Sequence, residues 1–229
     1  MNERQQKLLS AVMKEHMKTA RPVGSTLLAE HYHFDVSPAT IRNDFMALEE
    51  GGYLTHPHTS AGRVPTEQGY QYYVAEQLQL KPVQNKEKQK LEQAQKSQGD
   101  GRKNLAKQLA EISDEAVMIA FTEDDFYYTG LAHLFQKPEF AELNLLYNIG
   151  KVIDHLDEVV PQLFELVTEE AQVLIGSENP ISSDCSLIVG AYTQATENEK
   201  SIIGIFGPWR MDYERNIPRL KLVQHYLIR

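Results

Sequence analysis

The chain has 229 residues, a formal net charge of −9 and one cysteine, Cys185. That length allows one large or two small domains, each with its own core. A lone cysteine excludes an internal disulfide, no apolar run reaches membrane-spanning length, and the polar start MNERQQKLLS lacks the apolar centre of a secretory signal. A cytoplasmic protein is therefore expected. The charge is unevenly spread. Residues 1–75 carry seven Lys/Arg against eight Asp/Glu, residues 81–103 seven against three, and residues 104–229 nine against twenty. The acidity sits in the C-terminal half. The N-terminal part is not basic enough to mark nucleic-acid binding by charge alone, so any such reading must rest on motifs.

Residues 3–19 place Leu8, Leu9, Val12, Met13 and Met17 at helical spacing, which predicts an amphipathic helix. Thr19-Ala-Arg-Pro-Val-Gly24 interrupts it. Ser25 opens a short helix through Leu27, Leu28, Ala29 and Tyr32, and His33 to Val36 is a turn. A third helix starts at Ser37-Pro38. Serine is a strong N-cap, and proline suits the first helical position because its missing N–H would be unpaired there anyway. Ile41, Phe45 and Leu48 form its apolar face, and Gly51-Gly52 ends it.

Tyr53 to His56 and Arg63 to Thr66 read as two short strands flanking the turn-rich Pro57-His-Thr-Ser-Ala-Gly62. A hairpin directly behind such a helix is the organisation of a winged helix-turn-helix. Its recognition helix would enter a major groove. Ser37, Thr40, Arg42 and Asn43 lie at the exposed front of that helix, where such side chains reach phosphates and base edges. Asp44 is acidic and is expected to face a cation or the helix backbone instead. Ser25 is a candidate phosphate contact at a helix start. His58, Thr59, Ser60 and Arg63 would line the wing, with Arg63 either on the DNA or bracing the wing against an acidic neighbour. Thr66 caps a further helix through Tyr70, Tyr73 and Val74.

Residues 81–103 are rich in Lys and Gln and hold no aromatic, which predicts a basic linker or a solvated helix, its lysines either solvated or making supplementary phosphate contacts. Beyond them, Val117–Thr122 and Phe126–Thr129 read as strands joined across an acidic turn. Residues 139–170 suggest two helices, the second interrupted near Pro161. Val173–Ile175, Ser186–Tyr192 and Ile202–Phe206 are further strands, and residues 214–228 a closing helix. A mixed sheet with helices on it follows, so the overall class is α+β, with a C-terminal α/β or α+β domain. The expected division is 1–80, 81–103 and 104–229.

Other features have plainer readings. His31, His33, His56 and His58 form two His-x-His pairs on different elements with no cysteine nearby, so solvated or DNA-facing histidines are expected rather than a metal site. Cys185 reads as a buried structural residue, and Gly204-x-x-Gly207-Pro208 as a turn. Arg210, Asp212, Tyr213, Glu214 and Arg215 read as a network docking the last helix. Tyr127, Tyr128, Phe135 and Phe140 read as core and hairpin packing. No cofactor or metal is expected, and no residue set suits catalysis.

The patterns Glu3-Arg-Gln-Gln6, Arg21-Pro-Val-Gly-Ser25, Ser37-Pro-Ala-Thr-Ile-Arg-Asn-Asp44 and Pro57 to Thr66 resemble the HrcA family of bacterial heat-inducible transcription repressors. So do Pro138-Glu-Phe140, Val173 to Asn179 and Gly204 to Tyr213. The resemblance implies a homodimer acting on an inverted-repeat operator in double-stranded DNA upstream of chaperone genes. It also implies a GAF-like C-terminal domain and tuning by the chaperonin GroEL. Family members usually carry an inserted dimerisation domain, which the tight turn after Thr122 leaves no room for here. An alternative reading is a sensor whose C-terminal domain binds a small-molecule effector.

Overall fold

The computed structural model describes residues 1–32, 34–57, 62–141, 150–151, 154–193 and 199–228. They fall into two compact units, Met1–Leu78 and Gln79–Arg229.

The first unit opens with α1 (Glu3–Thr19). Asn2 caps it, accepting from the Gln5 N–H at 2.9 Å, while the Gln5 side chain accepts from the Asn2 N–H at 3.0 Å. This reciprocal pair satisfies two otherwise orphaned donors. Then follow α2 (Ser25–His31) and α3 (Pro38–Glu50). The wing strands are β1 (Leu54–Thr55) and β2 (Val64–Pro65), and α4 (Glu67–Tyr72), continued by a π-helical stretch at Tyr73–Gln77, closes the unit. Leu8, Leu9, Val12 and Met13 of α1 are buried with Leu28, Ile41, Phe45, Leu48, Tyr70 and Tyr73. Each such large side chain contributes roughly 1.5–3 kcal/mol on burial. The apolar spacing expected of α3 is therefore its inward face. Thr66 caps α4, accepting from the Gly69 N–H at 3.0 Å and donating to the Gly52 carbonyl at 2.6 Å.

The second unit begins with α5 (Asn85–Lys96) and α6 (Gly101–Ser113). Of the two readings of residues 81–103, the helical one is what forms. Leu91 is fully buried, Gln95 donates to the Tyr226 carbonyl at 2.8 Å, and Arg219 pairs with Glu87. One leucine among lysines and glutamines carries little periodicity, which is why the sequence leaves a linker equally open.

Next come β3 (Ala116–Ala120), β4 (Phe126–Thr129), α7 (Leu131–Phe135), a 3-10 turn at Pro138–Ala141, and α8 (Leu156–Leu166). The strands β5 (Gln172–Ile175), β6 (Cys185–Thr193) and β7 (Lys200–Pro208) follow, and α9 (Tyr213–Leu227) ends the chain. The sheet order is β4-β3-β7-β6-β5, and every pair is antiparallel. The expected mixed sheet is thus corrected: β3–β4, β5–β6 and β6–β7 join strands consecutive in sequence, and β7 returns across the chain to pair antiparallel with β3. The result is an α+β domain. One face of the sheet, with Met118, Leu187, Val189, Ile202 and Phe206, packs against Leu134, Phe140, Leu156, Val160 and Leu163. The other carries α6 and α9. Pro161 lies inside α8, and the helix continues past it. Much of the other helix expected over residues 139–170 falls on 142–149, outside the described residues.

Gly204 and Gly207 lie within β7 rather than in a turn. Their role is close approach: a Cβ on Gly207 would sit 2.4 Å from Glu115 Oε2. Phe140 is buried as expected, but Tyr128 and Phe135 are each 41% exposed, because Tyr128 lies on the edge strand β4 and Phe135 ends a short helix.

Candidate nucleic-acid interface

Ser37 Oγ accepts the Thr40 N–H at 3.2 Å and lies 3.1 Å from Thr40 Oγ1, with Pro38 at the first helical position. The cap fixes the start of α3 and holds both hydroxyls at its solvent end. Ile41, Asp44, Phe45 and Leu48 are buried, and Arg42, Asn43, Met46 and Ala47 are exposed. Arg42, Asn43 and Met46 share one face by their spacing of three and four. Met46, 55% exposed, was not singled out from sequence. Its signal was available, since it lies off the Ile41–Phe45–Leu48 stripe, but a methionine reads by default as core.

Two of the three acidic residues of α3, Asp44 and Glu49, are held by cations, while Glu50 is exposed at the C-terminal end of that face. Arg4 grips Asp44 with two bonds, Nε to Oδ2 at 2.7 Å and Nη2 to Oδ1 at 3.0 Å. This meets the expectation that Asp44 faces a cation. Glu49 is paired with His56 and with Arg63, whose Nε lies 3.0 Å from Oε2. The bond from His56, with Arg63 behind it, holds the Glu49 carboxyl below its ordinary range. Of the two roles open to Arg63, the structure displays the brace: its Nη1 also donates to the Gly62 carbonyl at 3.2 Å.

The wing is anchored on both sides. Leu54 pairs with Pro65 and Thr55 with Val64, while Val23 and Arg63 exchange two backbone bonds of 2.8 and 2.9 Å. Gly62 has φ +108, and a Cβ there would meet the Val23 carbonyl oxygen at 2.7 Å. Only glycine tolerates both the backbone angle and the approach. The same bridge seats the start of α2 against the wing. Ser25, expected as a phosphate contact at a helix start, is the first residue of α2 and is 7% exposed. His58, Thr59 and Ser60, expected on the wing, lie outside the described residues, as does His33.

In the second unit, Cys185 is buried and its thiol is pushed up to about 12 by desolvation. A thiol so placed is inert. The cluster at the start of α9 docks that helix, as expected. Arg210 Nη2 holds Glu139 at 3.0 Å, Asp212 caps the helix by accepting the Arg215 N–H at 3.1 Å, and Lys81 pairs with Glu214. Tyr213 OH donates to the Trp209 carbonyl at 2.6 Å and lies 2.7 Å from Ser186 Oγ.

Three helices, a pinned hairpin and an exposed polar front on the third helix define a winged helix-turn-helix protein. Residues 24–66 match the DeoR-like helix-turn-helix domain, and residues 68–217 match the HrcA protein C-terminal domain. The chain belongs to the HrcA family. A heat-inducible transcription repressor of Carboxydothermus hydrogenoformans is 26% identical over 333 aligned positions, spanning 99% of this chain and 97% of that protein. The alignment is longer than the chain, so about a hundred positions of that relative have no counterpart here. The repressor of Moorella thermoacetica is 57% identical over 74 residues, 32% of this chain and 22% of that protein. A crystal structure titled as a hypothetical protein superposes with a TM-score of 0.75 at 18% identity, covering 100% of this chain and 96% of the other, and shows the shared fold. Among the described residues no helix is long and apolar enough to cross a membrane.

Proposed function

We propose that this chain is a homodimeric, DNA-binding transcription repressor of heat-shock genes that acts on an inverted-repeat operator. The observation that carries this reading is the sorting of charge on α3. Asp44 and Glu49 are held by Arg4 and Arg63, while Thr40, Arg42 and Asn43 stand at the front. A domain with no net positive charge can approach a phosphate backbone only if its acids are turned away from it.

In this reading Arg42 and Asn43 contact base edges or phosphates, Ser37 and Thr40 contact the backbone, and the wing, with His58, Thr59, Ser60 and Arg63, lies on the flanking strand. Repression is steric. An inverted repeat requires a two-fold protein, which supports a homodimer. The relatives named as heat-inducible repressors support release by heat, and family membership supports tuning by GroEL and a cytoplasmic location. The test is equilibrium binding to inverted-repeat DNA. Arg42→Ala should weaken binding by about 1–3 kcal/mol and relax base preference at its contact. Arg63→Ala should also weaken it. Unchanged affinity in both variants would overturn this assignment of the DNA-facing surface.

A further inference from the structure

We propose that the outer face of α5 is a second DNA-contacting surface, engaging backbone phosphates beside the operator. This deepens the repressor reading and rests on it.

The helix sorts its charges by face. Glu87 is turned inward onto Arg219, and Glu92 accepts from Tyr226 OH at 3.2 Å. Leu91 is fully buried, which fixes the rotation of the helix. Lys86, Gln89, Lys90, Gln93 and Lys96 are all exposed. By helical spacing they form one outward stripe of lysine and glutamine, bordered beside Gln89 and Lys96 by the exposed Glu92. None of these three lysines is ion-paired among the described residues, although Glu92 stands four residues before Lys96.

Lys96 suits the last turn of the helix, but Lys86 and Lys90 do not serve it. Lys86 and Lys90 are like charges one turn apart, which repel. Lys86 lies in the first turn, where the helix dipole disfavours a cation. A solvated helix could have carried the same charges in opposed pairs. Instead, residues 81–103 hold seven Lys/Arg against three Asp/Glu, whereas residues 104–229 hold nine against twenty. A cationic stripe isolated on an otherwise acidic domain is suited to a polyanion. Six residues link Leu78, the end of the first unit, to Asn85, the start of α5, so the tether between the two is at most about 25 Å long.

The experiment uses the full chain and the strongest inverted-repeat duplex it recovers from a random library. That duplex is prepared with short flanks and with flanks one helical turn longer on each side. Affinity is measured against salt. On the long duplex, Lys86→Gln/Lys90→Gln/Lys96→Gln should lower the slope of log affinity against log salt by about 2–3, since each phosphate left without its lysine removes about 0.9. On the short duplex the slope should change less. The matching triple arginine variant should keep the wild-type slope on both, and thermal melts should show that both variants fold. Equal slopes for the glutamine variant and wild type on the long duplex would overturn the proposal. So would a glutamine variant whose only change is in oligomeric state, since the stripe would then face a second copy of the chain. A wild-type chain that recovers no duplex would instead bring down the repressor reading, and this proposal with it.

Discussion

Arg4 and Asp44 are forty residues apart in sequence and joined by two bonds of 2.7 and 3.0 Å, tying α1 to α3. The Asp44 side chain is 7% exposed and that of Arg4 is 47% exposed. The acid is therefore the buried partner, and the arginine is its solvent-side cover. The pair both orients α3 and neutralises a carboxylate close to the proposed DNA face.

Arg4→Ala should consequently do more harm than Asp44→Asn. The first leaves a nearly buried carboxylate unpaired, whereas the second leaves an exposed arginine that water can satisfy. In a double-mutant cycle read by thermal melting, Arg4→Ala should cost markedly less in the Asp44→Asn background than in the wild type. DNA affinity should fall for Arg4→Ala, most at low salt, where an unpaired negative charge is least screened. Additive effects in the cycle would show that the two side chains do not depend on one another.

Met46 supplies a test of the recognition surface that leaves the fold untouched. It is 55% exposed on the face that carries Arg42 and Asn43. An apolar side chain there suits a thymine methyl. Met46→Glu should leave the stability within about 0.5 kcal/mol of wild type, as expected for a surface change. It should nevertheless abolish operator binding at physiological salt, by placing a carboxylate beside phosphates. Retained binding by a folded Met46→Glu protein would move the DNA off this face.

The parts legible in sequence were those with short-range causes. Ser37-Pro38 announces a helix start, Gly51-Gly52 its end, and Thr66 the next cap, because capping is settled within one helical turn. The strands at Phe126–Thr129 and along β6 and β7 were legible because continuous apolar or aromatic runs mark them. What sequence could not reach was pairing across distance. Nothing in the local pattern says that Arg4 meets Asp44, that Glu49 takes Arg63 and His56, or that Gly207 must be small because Glu115 lies against it. The Val23–Arg63 bridge has the same origin, since it joins segments forty residues apart.

Leu91 tests how α5 is held. It is the one buried residue of that helix, with no exposed surface. Leu91→Ala should destabilise the second unit by about 2–4 kcal/mol, the usual cost of removing a fully buried leucine. Hydrogen exchange should show the amides of 85–96 losing protection first. A helix held chiefly by its polar bonds to Tyr226 and Arg219 would give a much smaller loss.

Glu115 is the buried charge whose titration should be visible in stability. It is 4% exposed, its Oε2 has no partner among the described residues, and Lys137 Nζ lies 3.4 Å from Oε1. Desolvation raises its pKa to about 8; Lys137 and Arg210 oppose that rise and the Asp114 charge adds to it. In the unfolded chain the same carboxyl titrates near its ordinary value of 4.5. Between those two values the unfolded state releases this proton and the folded state retains it. Folding is then favoured by acid, so the stability of the second unit should fall as pH rises from about 4.5 to about 8 and level off above. The contribution of this one group can reach at most about 1.4 kcal/mol per pH unit. Glu115→Gln keeps the shape and cannot ionise, so it should flatten that slope and be more stable than wild type at pH 8. Denaturant titrations of both proteins at pH 5, 6.5 and 8 decide the matter: parallel curves for the two would mean that Glu115 is ionised in the fold throughout, with Lys137 outweighing its burial.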